Sequence, residues 1–592
     1  MFVPIAIGVV CLFIPERLKI ITKLLSFLTT LAVLAATIRV FILKPLYWPP
    51  VTVPPFIVDN LAALAGIGIA FFAFLVVIYS FGFIEKKNGR YFGYVLITLG
   101  SSLGAAFANN LITLLFFWGI LAATLYLLVN IQGTEKASAA AKKSMIVIGG
   151  TDALMIFGIG LMWKLSGTFA MNQTHLELSG ALSYIAFLSI AIASFAKAGA
   201  VPFHSWLPDV AEDGPTPVTA YLPASLDKLL GIYLLARASL NLFVMNGLSN
   251  TILMVIGSIT IIYAVMIALV QHDLKRLLGY HAVSQVGYMV LGIGTGNPIG
   301  IAGGLFHMLN HAIYKSCLFL SAGAVEKRTD TTDLSKLGGL AKYMPVTFVC
   351  FLVASLSISG IPPFNGFVSK WMIYQGIIEL GGSKNHIWIL WLISAMLGSV
   401  LTVASFLKLL HAVFLGRPSS GMARVKEVGL FMLLPMVVLA AICAIFGIFA
   451  FAIPLRLFII PAIGKGFSYL GIWNAGTATA LIIAGILLGL IMYIFLAPKR
   501  GRSVSVFIGG EDPALLKRVS GVEFYDTIKK MKFLDRFYRS EEAGALDIYD
   551  QGRNAVFSLT KMLQYLHNGV LPTYLVWCLL GMIGMFIFLF FR

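Results

Sequence analysis

GLFHMLNHAIYKSCLFLSAG, residues 304–323, is twenty residues long and apolar apart from a few polar side chains, which is the length that crosses a bilayer as a helix. His307, His311 and Lys315 follow i, i+4, i+8, so they line one helix face at steps of about 6 Å. A lone histidine on an apolar face is usually a satisfied core residue, but three titratable groups in file are rarely that. The spacing could bind a metal, yet no HExxH and no companion carboxylate accompanies it. Histidine titrates near neutrality and passes protons at physiological pH, so the file reads as a proton wire.

The rest of the chain supports a lipid setting. Of 592 residues 59% are hydrophobic and 11% charged, with mean hydropathy +0.92, whereas soluble domains are about a quarter charged. The net charge of +18 sits in short basic clusters between apolar runs, as expected for membrane-protein loops, and no basic stripe with interleaved aromatics points to nucleic acid. Apolar runs lie near 1–14, 20–44, 56–84, 92–108, 110–131, 144–165, 180–200, 218–242, 251–270, 278–296, 299–322, 345–380 (broken), 388–416, 428–462, 474–497 and 570–591. They predict an all-α polytopic bundle of about 15 to 16 transmembrane helices, with no strands. The first run lacks a basic leader and reads as a retained helix. Five scattered cysteines, Cys11, Cys317, Cys350, Cys443 and Cys578, form no CxxC, so neither a metal framework nor a disulfide is expected.

Residues 498–569 differ, with acidic and basic residues near balance. Leu546, Tyr549, Phe557, Leu559, Met562, Leu563 and Leu566 recur at helical spacing between polar residues. This is the pattern of an amphipathic helix lying along a membrane or partner, followed by a last spanning run.

Ionisable groups inside apolar runs mark ion or proton paths. Besides the 307–315 file they are Asp152 in VIGGTDALMIFG, Lys197 in SFAKAGAVPF, Asp227 and Lys228 in YLPASLDKLLGIYLL, and Lys370 in SISGIPPFNGFVSKWMIYQ. A lysine whose proton affinity depends on a partner that comes and goes is a gate. The alternative is a static ion pair fixing helix packing. Asp227 and Lys228 are adjacent, point about 100° apart and should serve different neighbours. Two segments are interrupted beside these lysines. Pro202, Pro208, Pro215, Pro217 and Pro223 exclude one continuous helix, and Gly360, Pro362 and Pro363 break the other. Paired discontinuous helices of this kind accompany repeats that house a transport path.

The stretches KAGAVPFHSWLPDVAEDGPTPV (197–218), HDLKRLLGYHAVSQVGYM (272–289), GLFHMLNHAIYKSCLFLSAG (304–323), LSKLGGLAKYMP (334–345) and SGIPPFNGFVSK (359–370) resemble the antiporter-like membrane subunits of complex I, membrane-bound energy-converting hydrogenases, formate hydrogenlyase-type complexes and Mrp-type antiporters. The resemblance implies two inverted five-helix repeats, each with a broken helix. Lys197 falls on the family's first half-channel lysine, Lys315 with His307/His311 on the connecting relay, and Lys370 on the second half-channel lysine. Asp152 matches an aspartate of the longer members, and the 513–568 stretch resembles their lateral helix. The implied organisation is N-terminal helices (1–90), the antiporter-like core (91–420), additional helices (421–497), the lateral region (498–569) and a terminal anchor (570–592). Two positions depart from the family. Gly119 follows Trp118 where a glutamate is expected, and Pro223 takes the place of a histidine, with Asp227–Lys228 as a nearby substitute and Asp152 as the candidate replacement acid.

The function read from the sequence is a proton or Na⁺ translocating subunit of a redox-driven complex, closest to membrane-bound hydrogenases and complex I. Its partners would be other membrane subunits and a peripheral redox arm, in a prokaryotic cell membrane. No cofactor is expected in this chain; nickel–iron, iron–sulfur or quinone centres would belong to partners. The alternatives are an Mrp-type secondary cation/proton antiporter subunit and a non-conducting membrane anchor.

Overall fold

The computed structural model describes residues 1–49, 53–383, 386–416, 425–469, 475–496, 522 and 525–591. Each of the apolar runs is helical, and the protein is an all-α polytopic bundle. Among the described residues ten helices are long and apolar enough to cross a membrane, and four shorter apolar helices accompany them: Phe2–Phe13, Pro345–Ser359, Phe451–Ile463 and Ala480–Phe495. Leu274–Gly294 and Pro298–Thr329 are long enough but more polar, since they carry His281, Gln285, His307, Asn310, His311 and Lys315. Both are buried along almost their whole length and form the centre of the bundle. Peripheral helices bury only one face. Trp388–Leu409 exposes Leu390, Ile393, Val400 and Leu407 while burying Ala395, Gly398, Thr402, Ser405 and Lys408.

The two predicted breaks are present. Helix Ala181–Ala198 stops at Gly199, a turn follows, and a short helix Trp206–Asp213 precedes the next span from Thr216. Helix Pro345–Ser359 stops at Gly360 and resumes as Asn365–Glu379. Gly199 (φ +82°) and Gly360 (φ +76°) are left-handed, a conformation that favours glycine, and their N–H groups cap the helices that end there. Pro202 lies in the first turn, Pro362 and Pro363 in the second, and Pro215 and Pro217 at the start of the span from Thr216, where proline is tolerated.

Pro223 is a correction to the sequence reading, because it does not break its helix. The chain widens into a π-helical segment, Leu222–Leu226, and continues as Asp227–Arg237. Proline lacks an N–H, and the π segment redistributes the bonds. The Ala220 carbonyl accepts from the hydroxyls of both Ser225 and Ser316 at 3.1 Å. This ties the span to helix Pro298–Thr329 one residue after Lys315.

Loop contacts define two rims. On one, Lys87 donates to the Ile131 carbonyl, Lys143 and Arg276 both pair with Asp209, Arg276 also pairs with Glu212, Lys275 pairs with Glu326, and Lys327 pairs with Glu85. Asp273 caps Leu274–Gly294 on this rim, and burial holds its carboxyl above the ordinary range. The other rim contains short β pairings that the sequence did not announce: Leu46–Trp48 antiparallel to Phe56–Val58, and Leu176–Glu177 parallel to Phe243–Val244. There Asp59 caps Asn60–Phe83 and pairs with Arg237 at 2.5 and 2.9 Å. Burial pulls the Asp59 carboxyl upward, but the Arg237 hydrogen bond and charge outweigh it and hold it below the ordinary range.

Contacts divide the chain into Met1–Lys530 and Met531–Arg592. The second unit holds helices Lys532–Glu542, Ile548–Leu566 and Leu571–Phe590. Where it is described, the expected amphipathic stretch is three helices, the short Asp526–Lys529, Lys532–Glu542 and Ile548–Leu566; the last two are separated at Gly544 (φ +70°), and Asp547 caps the last. The part of that stretch at 498–521 and 523–524 lies outside the described residues.

Candidate functional site

The titratable residues singled out from sequence converge in the first unit. Lys197, on the last turn of Ala181–Ala198, benefits from the negative end of its helix and lies 3.3 Å from Asp227, with both side chains almost fully buried. Asp152 is not its direct partner. The Asp152 carboxylate instead accepts from Trp118 Nε1 at 2.9 Å, and Lys197 Nζ lies 5.6 Å from the Trp118 ring. Both groups meet the Trp118 indole, and the Lys197 charge acts on Asp152, while Asp227 is the carboxylate in direct contact with Lys197. Gly119, at the family's glutamate position, is exposed, and a β-carbon there would meet open space.

Asp227 and Lys228 serve different neighbours, as their spacing implies. Lys228 Nζ sits 5.8 Å from the Trp206 ring and beside Gly199, where an added β-carbon would come within 3.5 Å of it. Trp206 Nε1 donates to the Ala196 carbonyl at 3.0 Å, satisfying the end of the broken helix. Lys228 and Lys315 both act electrostatically on His311, which packs against the backbone of Ala224 in the π segment. Among the described residues the Lys228 and Lys315 ammonium groups and the His311 ring nitrogens make no hydrogen bond of good geometry.

Tyr314 joins the two histidines. Its ring is 5.6 Å from that of His311, and its hydroxyl lies 3.2 Å from His307 Nε2. His307 Nε2 also faces Gln285 Oε1 at 3.1 Å, and Nδ1 faces Ser369 Oγ at 2.9 Å. The next residue, Lys370, donates to the Ile358 carbonyl at 2.9 Å, the freed end of the second broken helix, and lies 4.8 Å from the Tyr288 ring. The order is therefore Asp152, Trp118, Lys197–Asp227, Lys228, Lys315, His311, Tyr314, His307, Ser369, Lys370. Such a row of donors and acceptors can hand protons along, and no cluster of three metal-ligating side chains occurs among the described residues.

Sequence reasoning missed the groups linking the row: Gln285, Tyr288, Tyr314 and Ser369. It also missed His281, buried in LGYHAVSQ, Lys408, buried in SFLKLLHAVFL, and Arg237 at the end of LLAR. The last three were visible as ionisable residues within or ending apolar runs. On the Asp59 rim, Arg237, Asp59, Asn109, Asn172 and His175 line a polar cavity of about 430 Å³.

The family described as the transmembrane domain of NADH:quinone oxidoreductase/Mrp antiporter matches residues 108–402, the segment that contains the whole row. The chain belongs to the family of antiporter-like membrane subunits. This antiporter-like subunit is 33% identical over 437 residues to Na(+)/H(+) antiporter subunit A1 of Staphylococcus haemolyticus, covering 69% of the chain and 54% of that protein. The chain thus spans about half the length of the curated relatives it matches. Among solved structures, a chain of the archaeal membrane-bound sulfane sulfur reductase superposes with TM-score 0.80 at 22% identity, covering 99% of this chain and 98% of that one. A chain of the Mrp complex from Dietzia sp. superposes with TM-score 0.71 at 23% identity, covering 81% and 97%.

Proposed function

We propose that this subunit conducts protons within a multi-subunit cation/proton antiporter of the Mrp type. The observation that carries the reading is the row from the half-buried Asp152 to the buried Lys370, inside the segment that matches the family. A proton arriving at one lysine adds a positive charge that lowers the proton affinity of the next, so occupancy moves along the file. Lys197 has a carboxylate in contact to hold its charge; among the described residues Lys228 and Lys315 make no hydrogen bond. Burying unpaired ammonium groups costs stability, which a purely anchoring bundle has no reason to bear.

The Na⁺/H⁺ part of the proposal rests on the relatives named as Na(+)/H(+) antiporter subunits. They outweigh the redox-driven reading that the sequence motifs put first. That reading keeps one specific support, the superposition over nearly the whole chain on a respiratory reductase subunit. In it, a partner arm carrying nickel–iron, iron–sulfur or quinone chemistry would drive the same row. The positive-inside rule orients the chain, since Lys86, Lys87, Lys142, Lys143, Lys275, Arg276, Lys327 and Arg328 cluster on one rim, which would face the cytoplasm of a prokaryotic cell.

The test is purification of the tagged subunit with its partners, followed by reconstitution. Proton release on a Na⁺ jump, abolished by Lys197→Ala, is the expected result. Proton movement only on supply of an electron donor would transfer the row to the redox reading. Exchange unaffected by Lys197→Ala would overturn the row as the path.

A further inference from the structure

We infer that helix Trp388–Leu415 supplies a second polar file, which enters the centre of the row through His281 from the rim carrying residues 270–273. The inference rests on the proton-conducting reading of the row. At that rim the buried Lys408 ammonium donates to the carbonyls of Leu269 (2.9 Å) and Gln271 (2.8 Å), where helix Gly247–Leu269 ends. One helical turn deeper, Ser405 Oγ lies 2.7 Å from His281 Nε2, and both residues are fully buried. The His281 ring packs 4.9 Å from the Phe406 ring, and Lys315 Nζ lies 5.9 Å from the same ring. The file continues past Thr402 to Ser399, which bonds the hydroxyls of both Tyr288 and Tyr374, and Tyr288 borders Lys370. Ser399, Thr402, Ser405 and Lys408 recur every three residues on a helix whose other side carries Leu390, Ile393, Val400 and Leu407.

His281 is what makes the file more than packing. A histidine that only tied helices together would have both ring nitrogens satisfied, as buried polar groups generally are. Here Nε2 is engaged by a hydroxyl, while Nδ1 is buried without a hydrogen-bond partner among the described residues. An imidazole so placed accepts a proton at one nitrogen and releases one from the other. A proton delivered to Ser405 Oγ from the rim displaces the hydroxyl's own proton onto His281 Nε2. The imidazolium then gives up its Nδ1 proton to neutral Lys315, directly or through a water, and a tautomer exchange resets the ring. The charged groups that face His281 are Lys315 and Lys370, with Lys408 one turn beyond Ser405. His281 would thus be a branch point joining Lys315 to that rim without passage through Lys197.

The experiment uses the whole complex in inverted membrane vesicles, reading the initial rate of proton movement and its pH profile. His281→Gln keeps a hydrogen bond to Ser405 but cannot titrate, and Ser405→Ala removes only the hydroxyl. With assembly intact, His281→Gln should slow transport about ten- to hundred-fold and flatten the part of the pH profile an imidazole contributes, with Ser405→Ala slowing it less. Should His281→Gln fail to assemble, Ser405→Ala decides alone: a slower rate supports the file and a wild-type rate overturns it. Wild-type rates and profiles in both variants, while Lys197→Ala abolishes transport, would overturn the file and leave the row standing. If Lys197→Ala is also without effect, the row itself fails and the file with it.

Discussion

The two broken helices solve one problem in different ways. Each ends on a left-handed glycine with a lysine ammonium packed against it, Lys228 at Gly199 and Lys370 at Gly360. Each break also frees a carbonyl that must find a donor. At the first, the uncharged Trp206 indole serves the Ala196 carbonyl, and Lys228 has no hydrogen-bond partner among the described residues, next in sequence to the Lys197–Asp227 pair. At the second, Lys370 serves the Ile358 carbonyl itself, and no carboxylate pairs with it among the described residues. The first break thus separates scaffolding from proton handling, whereas the second gives both tasks to one side chain. A lysine that also caps a helix end is held to a fixed position; one relieved of that task can change its charge and partner with less structural consequence.

The comparison can be broken most forcefully at Asp227. Asp227→Asn leaves Lys197 buried without its carboxylate, which should cost about 3–5 kcal/mol or force the lysine neutral. Thermal unfolding of the purified complex would show the loss, and the double variant with Lys197→Met should recover most of it, since the two residues form one unit. A double variant as unstable as Asp227→Asn would mean the pair is not the reason. Next in size is Trp206→Phe, which removes the indole donor from the Ala196 carbonyl. An orphaned buried carbonyl costs about 1–3 kcal/mol. If Lys228 swings over to serve it, the first break comes to resemble the second, with little stability lost but slower transport; unchanged transport would deny that Lys228 needs its freedom. The smallest effect belongs to Asp152→Asn. Its Oδ1 can still accept from Trp118, so stability should change by less than about 1 kcal/mol, the scale of one neutral hydrogen bond. Transport should fall less than in Asp227→Asn, and equal losses would restore Asp152 as the acid of the first half-channel.

Much of this arrangement was legible in the sequence because lipid makes charge expensive. Lys197, Lys228, the 307–315 file and Lys370 stood out as ionisable residues in apolar runs, and proline and glycine marked both breaks. The parallel between GAVPF (199–203) and GIPPF (360–364) is also written in the chain. The pairing of Lys197 with Asp227 was not legible, for a physical reason. The π segment at Leu222–Leu226 adds a residue to the turn and rotates everything after it by up to about 100° relative to a regular helix. No count of helical steps from Pro223 could give the phase of Asp227. His281, Ser405 and Lys408 escaped for a different reason, since their meaning lies in contacts between helices more than a hundred residues apart. The short β pairings on the Asp59 rim are likewise products of loop packing, with no alternating pattern to announce them.

The central claim is that one continuous row joins the two halves through Lys315, and Lys315→Met tests it most directly. Proton flux and thermal unfolding should be measured on the same assembled complex in vesicles. The account predicts that flux is lost while assembly persists and stability is unchanged or higher, because a buried ammonium with no hydrogen-bond partner among the described residues has been replaced by an apolar side chain of similar length. Flux at the wild-type level in the Lys315→Met complex would contradict it.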